Sequence, residues 1–287
     1  MIGAKGMFLK RALAALLPLA LPALALFGPA LSAAHGEEAE PWQLGLQPPA
    51  SLTAERIDSF HDLLLWIITV IALFVLALLI YVMWRFRESR QPVPTRTSHN
   101  TTIEVLWTVI PIMILVIIAI PSFKLLYYVD RTHNAELTLK VTGHQWFWSY
   151  EYPDSKIAFD AMMVEDHDLK PGQPRLLDTD NRVVLPIGTN VRLLIASDDV
   201  IHAWTMPALG ININAVPGRL NETWVNITRE GMYYGQCFQL CGINHGFMPI
   251  AIQAVSKEAF QGWLAGQKKQ ALAGSGGPQL AQSTAPN

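Results

Sequence analysis

Cysteine is scarce in this chain: two occur among 287 residues, four positions apart, so at most one internal disulfide can form. Charge is scarce as well. Charged residues make up 15% and the formal net charge is -2, which marks neither a nucleic-acid binder nor a polyacidic tail. No Cys-x-x-Cys-His occurs, so a fused cytochrome c domain is not expected. Apolar residues are plentiful instead. They make up 51% and mean hydropathy is positive, as suits a membrane-anchored protein with one medium-sized domain.

The longest apolar stretches lie in the first half. Residues 1–34 place Lys5, Lys10 and Arg11 ahead of an Ala/Leu-rich core that runs into small residues, the pattern of a cleaved secretory signal. Leu63 to Trp84 is uncharged and long enough to cross a bilayer core of about 30 Å. A second apolar run begins at Val105, and a spanning helix is expected over 105–128 despite Pro111 and Pro121. The connection 85–104 carries Arg85, Arg87, Arg90 and Arg96 against Glu88, so the positive-inside rule puts it in the cytoplasm. Residues 35–62 and everything from 129 onward are then extracytoplasmic. Glu104 stands at the start of the second span, either snorkelling to the interface or serving as a functional intramembrane acid.

From Leu137 the pattern changes to short β-prone runs between turn signals: 137–141, 145–152, 183–186, 191–196, 223–227, 232–236 and 249–255. Such a series predicts an all-β antiparallel sandwich or barrel of cupredoxin-like type over 129–269. Ser256 is a candidate N-cap for a short helix over 258–267. The tail 270–287, rich in Ala, Gly, Ser, Gln and Pro, is expected to be disordered. In the aromatic strand, alternation predicts that Trp146 and Trp148 share a face.

Both cysteines fall in Cys237-Phe-Gln-Leu-Cys241-Gly-Ile-Asn-His245-Gly-Phe-Met248. Thiolate, imidazole and thioether together suit a soft ion, copper before zinc and far before magnesium or calcium. Alternatives stay open: a disulfide between the cysteines needs neither His245 nor Met248, and zinc can accept this donor set. His202, at the end of the strand expected over 191–196, could add a second imidazole. One copper needs only one cysteine, so two cysteines suit two coppers bridged by both sulfurs. Spreading charge over two metals favours electron transfer over bond-making chemistry.

These motifs, with Gly143-His-Gln-Trp146-Phe-Trp-Ser-Tyr-Glu-Tyr152, Asp180-Asn-Arg-Val-Val-Leu-Pro186 and Tyr233-Tyr-Gly-Gln-Cys237, resemble subunit II of the haem-copper cytochrome c oxidases. The resemblance runs from about Trp42 to Lys269. It implies a binuclear CuA centre in which Cys237 and Cys241 bridge the coppers and His202 and His245 bind one each. Met248 and the backbone carbonyl of Gln239 complete the set. It also implies electron arrival from cytochrome c at Trp146, and docking acids among Glu151, Asp154, Asp178, Asp180, Asp198 and Asp199. Glu104 would sit at the mouth of a proton channel in subunit I.

The implied partners are subunit I, subunit III, cytochrome c and the lipid bilayer, in a bacterial inner membrane with the β domain in the periplasm. One departure matters. The resembled family usually carries Glu where this chain has Gln239, so a magnesium or manganese ion shared with subunit I should bind more weakly. A quinol oxidase subunit II would lack the copper ligands, and nitrous oxide reductase would lack the helical hairpin.

Overall fold

The computed structural model describes residues 39–273 except 94, 95, 97 and 133. The expected signal at 1–34, and residues 274–287 of the expected tail, lie outside the described residues, while 270–273 of that tail are helical.

Two long helices come first, α1 over Leu52–Arg85 and α2 over Thr101–Asp130. The 34 residues of α1 span about 51 Å at 1.5 Å per residue, well beyond a bilayer core. Both are apolar and long enough to cross a membrane, and the apolar window of each is free of burial inside the chain. The run expected at 63–84 lies inside α1, but the helix starts eleven residues earlier. Ser51 explains the early start. Its side chain accepts a hydrogen bond from the Ala54 amide at 3.0 Å, and behind this cap the first turn buries Thr53 and Ala54. At α2, Asn100 caps in the same way by accepting from the Ile103 amide at 3.2 Å. Pro111 and Pro121 stay within the helix.

Ten strands follow: β1 Leu137–His144, β2 Phe147–Tyr152, β3 Ile157–Ala161, β4 Val183–Pro186, β5 Val191–Ser197, β6 His202–Met206, β7 Ile211–Ala215, β8 Asn221–Val225, β9 Gly231–Cys237 and β10 Pro249–Val255. They form two five-stranded sheets, ordered β3-β2-β1-β5-β8 and β4-β10-β9-β6-β7. The terminal helix α3 covers Lys257–Ala273, with Ser256 accepting from the Ala259 amide at 3.2 Å.

Most pairings are antiparallel as expected, but β1 with β5 and β10 with β4 are parallel. The cause is that the chain leaves the first sheet after β3, runs through β4 in the second and returns as β5. A strand re-entering a sheet is not constrained by a hairpin. Burial alternates along β1 and β5, whose inner faces carry Leu139, Val141, Leu193 and Ile195. The β6 strand is buried on both faces, and Trp148 and Trp204 are fully enclosed. Enclosing a large apolar side chain contributes roughly 1.5 to 3 kcal/mol.

The hairpin is clamped to this sandwich. Ala50 donates to the Ala208 carbonyl at 2.8 Å and accepts from the Thr228 amide at 2.9 Å, while the Ser51 hydroxyl donates to the Leu209 carbonyl at 2.7 Å. Gly210, at φ 67°, lies so close to α1 that a Cβ there would stand 3.0 Å from the Ala54 backbone.

Candidate metal centre

One end of the sandwich collects the finishing ends of β1, β5 and β9 and the starting ends of β2, β6 and β10. The finish of β9 delivers Cys237, and the start of β6 delivers His202 beside it, held in register by Trp204 opposite Cys237. The loop leaving β9 brings back Cys241, His245 and Met248 before β10 begins.

The donors converge. Cys237 Sγ lies 3.9 Å from Cys241 Sγ, 3.9 Å from His202 Nδ1 and 3.4 Å from the Gln239 carbonyl oxygen. Cys241 Sγ lies 3.5 Å from His245 Nδ1 and 3.6 Å from Met248 Sδ. Both cysteines are free. Their separation far exceeds the roughly 2.05 Å of a disulfide, and is one that a bridging ion with bonds of about 2.3 Å can span. His202, Cys237 and Cys241 are buried and form a cluster that could hold a metal ion. Two thiols, two imidazoles, a thioether and a carbonyl suit copper.

The surrounding groups fix these ligands. Asp199 Oδ1 lies 2.8 Å from His202 Nε2 and leaves Nδ1 turned toward the sulfurs, and Asp199 also accepts from the Gln145 amide at 2.6 Å. A carboxylate on the far nitrogen sets the imidazole's tautomer and raises its basicity. Burial alone would push the Asp199 carboxyl up, but its hydrogen bond with His202 leads a set that brings it below the usual range. Burial depresses His202, yet the Cys237 and Asp199 contacts outweigh it and hold the imidazole above its ordinary value.

At Cys237, burial raises the thiol, but hydrogen bonds led by His202 bring it down to about 7. Cys241 is pushed up to about 12, first by burial and then by the charge on Cys237. Asp199→Asn should lower copper affinity about 10- to 100-fold while leaving the fold intact. Competition against a copper(I) chelator reads this directly, and an unchanged affinity would rule out a tuning role for the carboxylate.

Two supports of the site were not assigned from sequence. Trp148 donates from Nε1 to the Met248 carbonyl at 3.1 Å and sets its ring edge against His202, with centroids 5.8 Å apart. From sequence a buried tryptophan reads as packing, because burial and ligand support share one residue type. Gly143 leaves room for both rings, since a Cβ there would stand 2.9 Å from His202 Cδ2 and 3.0 Å from Trp148 Cζ3. Its place in the Gly-His-Gln-Trp motif was the available signal.

Trp146 lies outside the strand that carries Trp148. It precedes β2 in the turn after β1, where strand alternation no longer applies. Half-buried, it donates from Nε1 to the Cys241 carbonyl at 3.3 Å, and the Gln145 side chain donates to the same oxygen at 2.7 Å. Gly242, at φ 123°, lies under the indole.

The acids divide. Asp198 is exposed at this end, 3.8 Å from His144 Nδ1. Asp180 is exposed on a loop tied to Met162, just past the end of β3. Asp199 serves His202, as described. Glu151 and Asp154 do not join them, because β2 runs away from the metal end by about 3.3 Å per residue and carries both toward the opposite end. Glu151 faces Lys140 there at 3.5 Å.

Asp178 is not a surface acid at all. It is buried and accepts from Arg182 Nε at 2.9 Å, from Gln173 at 2.7 Å and from the Thr179 amide at 2.9 Å. Burial pushes its carboxyl up, but the Arg182 bond leads the contacts that set it below its ordinary value. With a depressed folded value, its stabilisation is present above the unfolded value and fades as pH falls through the folded one. Asp178→Asn should cost about 2 kcal/mol near neutral pH and flatten the acid limb of stability. Matching melting curves for variant and wild type across that acid range would contradict this.

Around the cluster, Phe238, Leu240, Ile243 and Phe247 form an exposed apolar rim, the kind of surface that marks a contact with another protein. Glu104 lies in the first turn of α2, about 39 Å along that helix from Asp130.

Comparison with known proteins agrees over most of the chain. The family described as cytochrome c oxidase subunit II, periplasmic domain, matches residues 137–255, and the transmembrane domain of the same subunit matches residues 39–125. The probable cytochrome c oxidase subunit 2 of Rickettsia bellii is 55% identical over 235 residues, covering 82% of this chain and 87% of that protein. Cytochrome c oxidase subunit 2 of Oenothera berteroana is 47% identical over 235 residues, covering 79% and 91%. The periplasmic domain of subunit II of the Bradyrhizobium japonicum cytochrome oxidase shares 49% identity, with a TM-score of 0.46, over 49% of this chain and 99% of that one.

Proposed function

Because the chain belongs to the cytochrome c oxidase subunit II family, as a two-pass membrane subunit of a haem-copper oxidase, we propose that it is the electron-accepting subunit. It takes electrons from cytochrome c at a binuclear CuA centre and hands them to haem in subunit I, where oxygen is reduced to water with proton pumping. The observation that carries this reading is the convergence of six soft and weak donors around two unbonded sulfurs 3.9 Å apart. Bound there, the copper pair supplies a one-electron relay.

The chain's own residues do the rest. Cys237 and Cys241 would hold the coppers between them, with His202, His245, Met248 and the Gln239 carbonyl as the further donors. Asp199 holds the His202 ring, and burial of the sulfurs keeps water away. The indole of Trp146, hydrogen-bonded to the Cys241 carbonyl, offers a short route inward from the surface. Asp180 and Asp198 steer a cationic donor, an effect that falls on encounter rate and weakens with salt. The apolar rim suits subunit I, and subunit III completes the assembly. The β domain then faces the periplasm of a bacterial inner membrane.

Gln239 supplies an amide where the family resemblance implies a carboxylate, so manganese should leave the assembled oxidase more readily than from a Gln239→Glu variant under chelation. Glu104 takes the proton-channel position, and Glu104→Gln should slow steady-state turnover of the assembled enzyme.

The deciding experiment reconstitutes the full chain with copper. Two coppers per chain, and an unpaired electron split by both nuclei in paramagnetic resonance, are expected. A single bound ion, or a disulfide between Cys237 and Cys241 in the assembled complex, would overturn the reading.

A further inference from the structure

Where the start of α1 meets the end of α2, a cavity of 270 Å³ opens between them, lined by Arg56, Ser59, Phe60, Leu63, Pro121, Lys124 and Leu125. Its two cations lie at the same end of the hairpin. Lys124 stands in the last two turns of α2, and Arg56 precedes the apolar run that begins at Leu63 by about 10 Å of helix. Both therefore sit at the headgroup level of the leaflet beneath the β domain. Neither has an acidic partner among the described residues. Arg56 lies over the Tyr128 ring at 3.6 Å.

The nearby acids point elsewhere. Glu55, Asp58 and Asp62 repeat at helical spacing one residue out of phase with Arg56, Ser59 and Leu63, so they occupy the adjacent face of α1. What remains is a cleft with two positive charges and a hydroxyl at its polar end and Phe60, Leu63, Pro121 and Leu125 at its apolar end. That division matches an amphiphile with an anionic head.

We propose that this cleft binds an anionic phospholipid of the outer leaflet. Arg56 and Lys124 take the phosphodiester beside Ser59, whose hydroxyl donates to the Glu55 carbonyl at 2.8 Å, and an acyl chain lies along Leu63 and Leu125. Basic clefts between spanning helices take anionic headgroups by the same combination of charge and apolar burial.

The test uses the full chain purified in detergent and offered phosphatidylglycerol, phosphatidylcholine or inorganic phosphate, with bound lipid counted by native mass spectrometry. One phosphatidylglycerol per chain should be retained in preference to phosphatidylcholine, and inorganic phosphate should not displace it. Retention should fall about fivefold for each charge removed in Arg56→Gln and Lys124→Gln. Lys124→Arg should restore it, and unchanged thermal melting shows that the variants fold. Equal retention of the two lipids, indifference to the double substitution, or displacement by inorganic phosphate would overturn the proposal. So would an assembled oxidase, purified from its own membrane, that carries no lipid in this cleft.

Discussion

Cys241→Ser should leave the chain unable to hold more than one copper and cut cytochrome c oxidation by the assembled enzyme more than about 100-fold. Cys241 is the hub of the cluster: its sulfur faces Cys237 at 3.9 Å, His245 at 3.5 Å and Met248 at 3.6 Å. Serine nearly preserves the shape but replaces a soft, ionisable sulfur with a hard hydroxyl that stays protonated, so copper loses its bridge. Metal analysis gives the stoichiometry, and stopped-flow reduction by cytochrome c gives the rate. Two coppers retained in Cys241→Ser would remove the basis for a sulfur-bridged pair.

Gly235→Ala should destabilise the β domain by about 3 kcal/mol or more and disorder the metal cluster with it. A Cβ at Gly235 would stand only 2.0 Å from the Thr205 carbonyl oxygen and 3.1 Å from its carbon, both backbone atoms of β6 that cannot rotate away. The same strand pair sets Cys237 against Trp204, two residues from His202, so forcing it apart separates two of the proposed ligands. Thermal melting and copper content should fall together. If the variant melts like wild type, this close approach is not what holds the strands in register.

The proposed ligands were legible because they are local. Five of the six lie within twelve residues, whereas His202, expected at the end of the 191–196 strand, instead opens β6 in the other sheet. The two spans were equally plain. What surrounds them was not, because it depends on direction and depth. Sequence proximity grouped Glu151 and Asp154 with Trp146, but a strand carries its residues steadily away from its starting end, and β2 takes them to the wrong one. Asp178 reads as a loop acid until Arg182, four positions on, turns back to cover it. The polar first turns of α1 carry no hydropathy signal, and only a partner 158 residues distant shows why Ser51 starts a helix there. The two parallel pairings follow from sheet-switching that no local pattern encodes.

The bonds of Ala50 and Ser51 to the turn before β7, and of Ala50 to Thr228, tie the membrane hairpin to the sandwich at its first residue rather than through a slack tether. The loop that carries the proposed metal ligands consequently keeps a constant height and heading above the lipid surface. An acceptor embedded in the same bilayer would meet it at one separation every time, so in the proposed reading only a donor outside the membrane has to search for its orientation.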